Sequence, residues 1–173
     1  MSILRLAKVA SAFLLTLGLM LITFSDDLSA ASKKEEAKKY TEQLKKAKDT
    51  VGKIEALDKL GSLGQIQYGY AEDAIPDILK SAADKDAGVR AAAAHAIGKI
   101  NIEDKEAVPT LVKLLKDDNE AVKTAAVEGL GYMNNKAKDA IKDLRDIRSK
   151  LDKKDKLARV IDTAMKSIGG KTK

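Results

Sequence analysis

The sequence predicts an all-α solenoid of about four antiparallel helix pairs, the terminal pairs degenerate, and three observations predict it. Residues 74–98 and 107–131 align without a gap at an offset of 33, reading AIPDILKSAADKDAGVRAAAAHAIG and AVPTLVKLLKDDNEAVKTAAVEGLG. Identities fall at Ala74/Ala107, Pro76/Pro109, Lys80/Lys113, Asp84/Asp117, Val89/Val122, Ala92/Ala125, Ala93/Ala126 and Gly98/Gly131. Self-similarity at a fixed period of roughly 20–50 residues marks stacked units that cannot bury their apolar faces alone. Within each copy the apolar residues recur at helical spacing. The chain is also only 3% aromatic, a composition that suits packed Ala, Leu, Ile and Val better than an aromatic ligand cage or a base-stacking surface.

Each unit carries two helical patterns. Ile75, Ile78, Leu79 and Ala82, matched by Val108, Leu111, Val112 and Leu115, form one stripe. Pro76 and Pro109 fall in the first turn, where the missing amide would be unpaired anyway. Glu72, Asp73, Glu103, Asp104 and Glu106 precede these helices and suit the positive end of the helix dipole. The second stripe is Val89, Ala92, Ala93, Ala96 and Ile97, matched by Val122, Ala125, Ala126, Gly129 and Leu130. Asp86 and Asn119 are the expected N-caps, and Gly98 and Gly131 the expected stop signals.

Taken together, the pattern A-[IV]-P-x-[IL]-x-K-x-x-x-D-x-x-x-x-V-[RK]-x-x-A-A-x-x-x-[IL]-G resembles the HEAT repeat, in particular the short variety named after the phycobilisome lyases. The resemblance is specific over residues 71–134. It implies a right-handed superhelix with a concave binding surface, and an inter-repeat ladder in which a turn aspartate and a basic residue six positions later pair between neighbouring units. The matching positions are Asp84 with Arg90 and Asp117 with Lys123. Lysine at 123 departs from the usual arginine and lacks its two-pronged geometry. Fold of this kind does not dictate function.

Residues 1–31 are expected to be a secretory signal peptide. Arg5 and Lys8 open it, and Val9–Phe24 is apolar apart from Ser11, Thr16 and Thr23. Leu28-Ser29-Ala30-Ala31 then offers a small-residue cut after Ala31 or else Ala30. The alternative is an uncleaved anchor, although the run falls short of the roughly 20 residues of a spanning helix. The chain has no cysteine, hence no lipidated residue after the cut and no disulfide. The expected location is extracytoplasmic, in a bacterial periplasm.

Residues 32–173 are then expected to form one domain: a capping pair over 32–70, repeats over 71–102 and 103–135, and a second capping pair over 136–173. Ala37, Tyr40, Leu44 and Ala47 continue into Val51 and Ile54 as a narrow stripe. Leu57, Leu60 and Leu63 follow, ending at Gly61 or Gly64. A single long helix or short coiled coil is the competing reading. Residues 65–71 (QIQYGYA) form a connector in which Tyr68 and Tyr70 flank Gly69. Asn134-Asn135 makes the next turn, and Ala140, Ile141, Leu144 and Ile147 open the last pair. Val160, Thr163, Ala164 and Ile168-Gly169 align with Val122, Ala125, Ala126 and Leu130-Gly131 at an offset of 38, which moves the basic ladder position to Ile161.

Charge is uneven along the chain, whose net charge is +6. Residues 136–173 hold 13 basic against six acidic residues, and 71–135 hold eight against 12. A basic end could steer anionic lipid or polysaccharide, although interleaved acids break any continuous stripe.

Little in the chain supports catalysis. His95 is the sole histidine, which removes a Ser-His triad and a histidine-based metal centre. HEAT-type metal hydroxylases use repeated His-Glu dipeptides, whereas Ala96 follows His95 here. No Gly-rich phosphate loop, nucleophile elbow or zinc spacing is present, so no cofactor and no metal are expected. Nucleic-acid binding is disfavoured because basic and aromatic residues do not interleave on the inner face. His95 and its equivalent Glu128 are expected a few ångströms apart, as an acid–base pair or, more plainly, as exposed polar neighbours. The inner face (Ala91, Ala94, His95, Gly98, Lys99, Thr124, Val127, Glu128, Gly131 and Tyr132) is small-featured and suits a docked helix or extended peptide. The expectation is a non-enzymatic scaffold that binds a protein or peptide partner through His95, Lys99, Val127, Glu128, Tyr132 and the connector tyrosines Tyr68 and Tyr70. A lyase-like or chromophore-handling protein, or a binder of anionic envelope material through the basic end, is the alternative. Membrane contact is expected only through the signal segment or weak electrostatics.

Overall fold

The computed structural model describes residues 28–103 and 105–169. The chain divides into two units, Met1–Glu36 and Ala37–Lys173. In the first, residues 28–36 are helical and include the expected cleavage positions Ala30 and Ala31. The rest of the expected signal segment lies outside the described residues.

The second unit contains eight α-helices and no strand among the described residues. They are α1 (residues 37–46), α2 (Thr50–Ile66), α3 (Ile75–Ser81), α4 (Ala87–Ile100), α5 (Ala107–Leu114), α6 (Glu120–Tyr132), α7 (Ile141–Arg148) and α8 (Lys156–Ile168). The even-numbered helices form one layer, in which α2 packs on α4, α4 on α6 and α6 on α8. Among the odd-numbered helices, α3, α5 and α7 each lie against the even-numbered helix that follows them. This is an all-α solenoid of HEAT type.

Local chemistry explains the starts. Asp49 accepts from the Gly52 amide at 2.7 Å, Asp86 from Val89 at 3.1 Å, and Asn119 from Ala121 and Val122 at 2.9 and 3.4 Å. Each occupies amides that the helix leaves free. Asp155 caps α8 in the same extended conformation without a side-chain bond. Pro76 sits in the first turn of α3. The core that follows is aliphatic: Leu57, Leu60, Ile78, Val89, Ile97, Leu111, Val122, Leu130, Leu144, Ile161 and Ile168 are all fully buried.

The ends of the even helices differ from expectation. Gly98 and Gly131 do not stop their helices. α4 continues to Ile100 and is closed by Asn101 in the left-handed region (φ 57°), and α6 continues to Tyr132. α2 likewise runs past Gly61 and Gly64 to Ile66. Gly61, Gly98 and Gly131 instead stand twelve residues after their N-caps, where the neighbouring even helix passes. A Cβ at Gly98 would lie 2.5 Å from the Gly129 Cα, one at Gly61 3.1 Å from the Ala96 Cα, and one at Gly131 3.3 Å from the Ala164 Cα. These glycines admit close approach.

Register at the two terminal pairs also differs. N-caps fall at Asp49, Asp86, Asn119 and Asp155, so the intervals are 37, 33 and 36 residues. Gly169 (φ 86°) is the true C-cap of α8 and corresponds to Met133, the C-cap of α6, also 36 residues earlier. Equating it with Gly131 overstates the offset by two. At the other end Val51 is 75% exposed and leaves the expected stripe, because α1 stops at residue 46 and Asp49 restarts the helix in a new phase.

Candidate functional site

Counting from the N-caps brings the charged residues into order. The fourth residue after each cap is basic: Lys53, Arg90, Lys123 and Arg159. Two residues before the caps of α4 and α6 lie Asp84 and Asp117. Lys53 Nζ meets Asp84 Oδ2 at 2.6 Å, and Arg90 grips Asp117 with two bonds, Nε to Oδ2 at 2.7 Å and Nη2 to Oδ1 at 2.9 Å. Arg90 Nη1 also donates to the Asp84 and Lys85 carbonyls. Each carboxylate additionally accepts the amide at the following cap, Asp86 for Asp84 and Asn119 for Asp117.

The ladder therefore runs forward, from a helix to the turn of the next pair. Arg90 pairs with Asp117, as the inter-repeat reading expects, and Asp84 takes Lys53, a residue the repeat spacing did not single out. Lys123 has no ion pair among the described residues, since the equivalent turn position of the last pair is Lys153. The basic position in α8 is Arg159, whereas Ile161 is fully buried. The capping amide of Asp86 and then the Lys53 ammonium hold the Asp84 carboxyl below its usual range. The Arg90 guanidinium does the same for Asp117, and that carboxylate in turn raises Arg90.

The solvent side of the even layer carries most of the expected contact residues. His95 and Glu128 both stand nine residues after their caps, and His95 Nδ1 lies 3.6 Å from Glu128 Oε2. That is longer than a hydrogen bond, so they are facing groups rather than a bonded acid–base couple. Lys99 and Tyr132 both stand thirteen residues after their caps; Lys99 is half-buried and Tyr132 is 46% exposed. Val127 is different. It is 1% exposed and is not available to a partner, and Ala94 and Gly98 are buried with it. Packing of α4 on α6, and of α6 on α8, consumes these positions, which periodicity alone had assigned to the open face. Tyr68 and Tyr70 are half-buried in a 3₁₀ turn, packed against the core, and are not brought to this face.

Between α6 and α8 the even layer opens into a groove of about 630 Å³. It is lined by Gly131, Tyr132, Val160 and Ala164, with Glu128, Lys156, Arg159, Thr163 and Ser167 around them. On the odd layer a second groove, of about 780 Å³, involves Val108, Pro109 and Val112; its Lys136 is already paired with Glu103 at 2.7 Å. No set of three or more potential metal ligands gathers among the described residues, and no described helix is long and apolar enough to cross a membrane.

Comparison with known proteins agrees with this architecture. Residues 99–161, from the end of α4 into α8, match the model of HEAT repeats. No curated protein matches. Crystal structures of two engineered proteins share the fold. One has a TM-score of 0.60 at 21% identity over 77% of this chain, and the other 0.55 at 20% identity over 76%. The chain spans 62% of the first and 37% of the second. At such identity the likeness concerns the fold.

Proposed function

We propose that this protein is a non-catalytic binding module that docks another protein on the solvent side of α4, α6 and α8. The observation that carries the reading is Tyr132, an exposed aromatic on a helix with an otherwise aliphatic buried face, standing at the wall of the α6–α8 groove. Aromatic residues at the edge of an apolar depression are the usual anchors of protein contacts. Glu128 lines the same groove, with His95 beside it, and Lys99 stands at the equivalent position on α4; a partner can meet these polar groups without large desolvation. The matched repeat family supports a scaffold, and its short phycobilisome-lyase-like variety rests on the motif over residues 74–98 and 107–131. The one-domain division over residues 32–173 belongs to the same reading. So does export, which rests on Arg5, Lys8, the apolar run Val9–Phe24 and the small residues Ser29–Ala31.

Site-specific photo-crosslinking tests the docking face. The full chain, expressed in its native cell with benzoyl-phenylalanine at position 132, is expected to capture a discrete partner, and capture should fall with Lys99→Glu and Glu128→Lys. The same reagent at position 113, on the odd layer, should capture none. Equal capture at both positions, or capture only at 113, would remove the assignment. The N-terminal residue of the cell-purified protein reads export separately: Ser32 or Ala31 is expected, and Met1 counts against it.

A further inference from the structure

We infer that the groove over α6 and α8 receives an acidic peptide segment, whose carboxylate meets Arg159 at its outer edge while a large apolar side chain rests on Val160, Ala164 and Tyr132. This rests on the proposed docking of a protein on the even layer. The chain itself supplies the precedent. A basic residue four positions after a cap meets a carboxylate in front of it twice in this molecule, at Lys53–Asp84 and Arg90–Asp117. Arg159 occupies the same position on α8, the last helix of the described stack. It is exposed, has no ion pair among the described residues, and lines the groove beside Lys156. A guanidinium presented this way favours a planar carboxylate held by two bonds.

Two observations select a peptide over a further repeat or a second copy. In α4 and α6 the positions eight residues after the cap are the buried Ala94 and Val127, and Ala94 lies against Gly129 of the next even helix. In α8 that position is Thr163, and the position twelve after the cap is Ser167; both are exposed. The outer edge of α8, which borders the groove, is thus polar and does not invite another apolar pair. A second copy stacked head to tail would also present Ala47, two residues before Asp49, where the ladder needs a carboxylate. The groove, by contrast, offers apolar surface at Val160, Ala164 and Tyr132, which a docked side chain uses and a flat anionic surface does not.

Panning a random peptide library against the immobilised full chain tests the inference. Enriched sequences are expected to place Asp or Glu within a few residues of Leu, Ile, Phe or Trp. The best of them, synthesised, should bind about ten- to hundred-fold more weakly to Arg159→Glu, the scale of a charge-assisted bond, and equally well to Lys113→Glu. Circular dichroism and the melting temperature of each variant control for folding. Peptides without acids that ignore Arg159→Glu but are lost with Val160→Asp would overturn the acidic class while leaving the docking face standing. Enriched peptides insensitive to Val160→Asp and Tyr132→Ser, or no enrichment at all, would overturn both. Binding to phosphatidylglycerol vesicles that displaces the peptides would make lipid the occupant and overturn the inference.

Discussion

Arg90 and Asp117 are the residues on which the central joint of the stack depends most. Their side chains are 19% and 10% exposed, so the pair is screened less than a surface bridge, and both carboxylate oxygens are engaged. Removing one partner strands the other in a partly dry site. Asp117→Ala is expected to cost about 2–3 kcal/mol in urea unfolding at neutral pH, and Arg90→Lys less, because charge remains while the second bond is lost. The two ladder carboxylates also contribute acid sensitivity. Asp84 and Asp117 titrate lower folded than unfolded, so their stabilisation is complete above the ordinary aspartate value of about 4 and disappears as pH falls through the folded values. Wild type should therefore lose more stability between pH 5 and pH 2 than Asp84→Asn/Asp117→Asn; parallel losses would assign acid unfolding elsewhere. Asp117 was legible as a ladder residue from the repeat alone. Lys53 and Arg159 were not, because they align only when the units are counted from their N-caps, and the cap intervals at the ends depart from 33.

At the scale of the element, the even helices are close-packed where their glycines stand. A methyl at Gly98 would press on the backbone of Gly129, which cannot swing aside as a side chain can, whereas at Gly131 the nearest atoms are 3.3 Å away, the Cα and Cβ of Ala164. Gly98→Ala is expected to destabilise by about 1–3 kcal/mol or more. Gly131→Ala should come close to neutral, the mild crowding offset by roughly 1 kcal/mol of better helix propensity. Equal melting temperatures for the two variants would refute the close-approach explanation. The signature of these glycines in the sequence looked like helix termination because a glycine near the end of an amphipathic pattern has two physical uses. Only the position of the neighbouring helix separates them.

Across the whole molecule, burial peaks at α4, with eight buried residues against six in each of α2, α6 and α8. α7 buries only Leu144. Stacked repeats open from their ends, since terminal units have one neighbour rather than two. Amide exchange should accordingly be slowest in α4 and α6 and fastest in α1 and α7. Uniform protection would indicate a single cooperative block. The same asymmetry explains the groove: α6 keeps a partner on each side, while α8 leaves Arg159, Thr163 and Ser167 to solvent.

Helix pairs, N-caps at Asp86 and Asn119, the aliphatic stripes and the facing of His95 and Glu128 were all determined by the sequence by itself. Each depends on residues within a few turns of one another or on the period of one repeat. The tertiary structure decided the direction of the ladder, the burial of Val127, the role of Gly98 and Gly131, and the groove between α6 and α8. Those depend on how far and at what height one even helix is set against the next, and that displacement follows from side-chain volumes meeting across the layer, which a one-dimensional period does not contain.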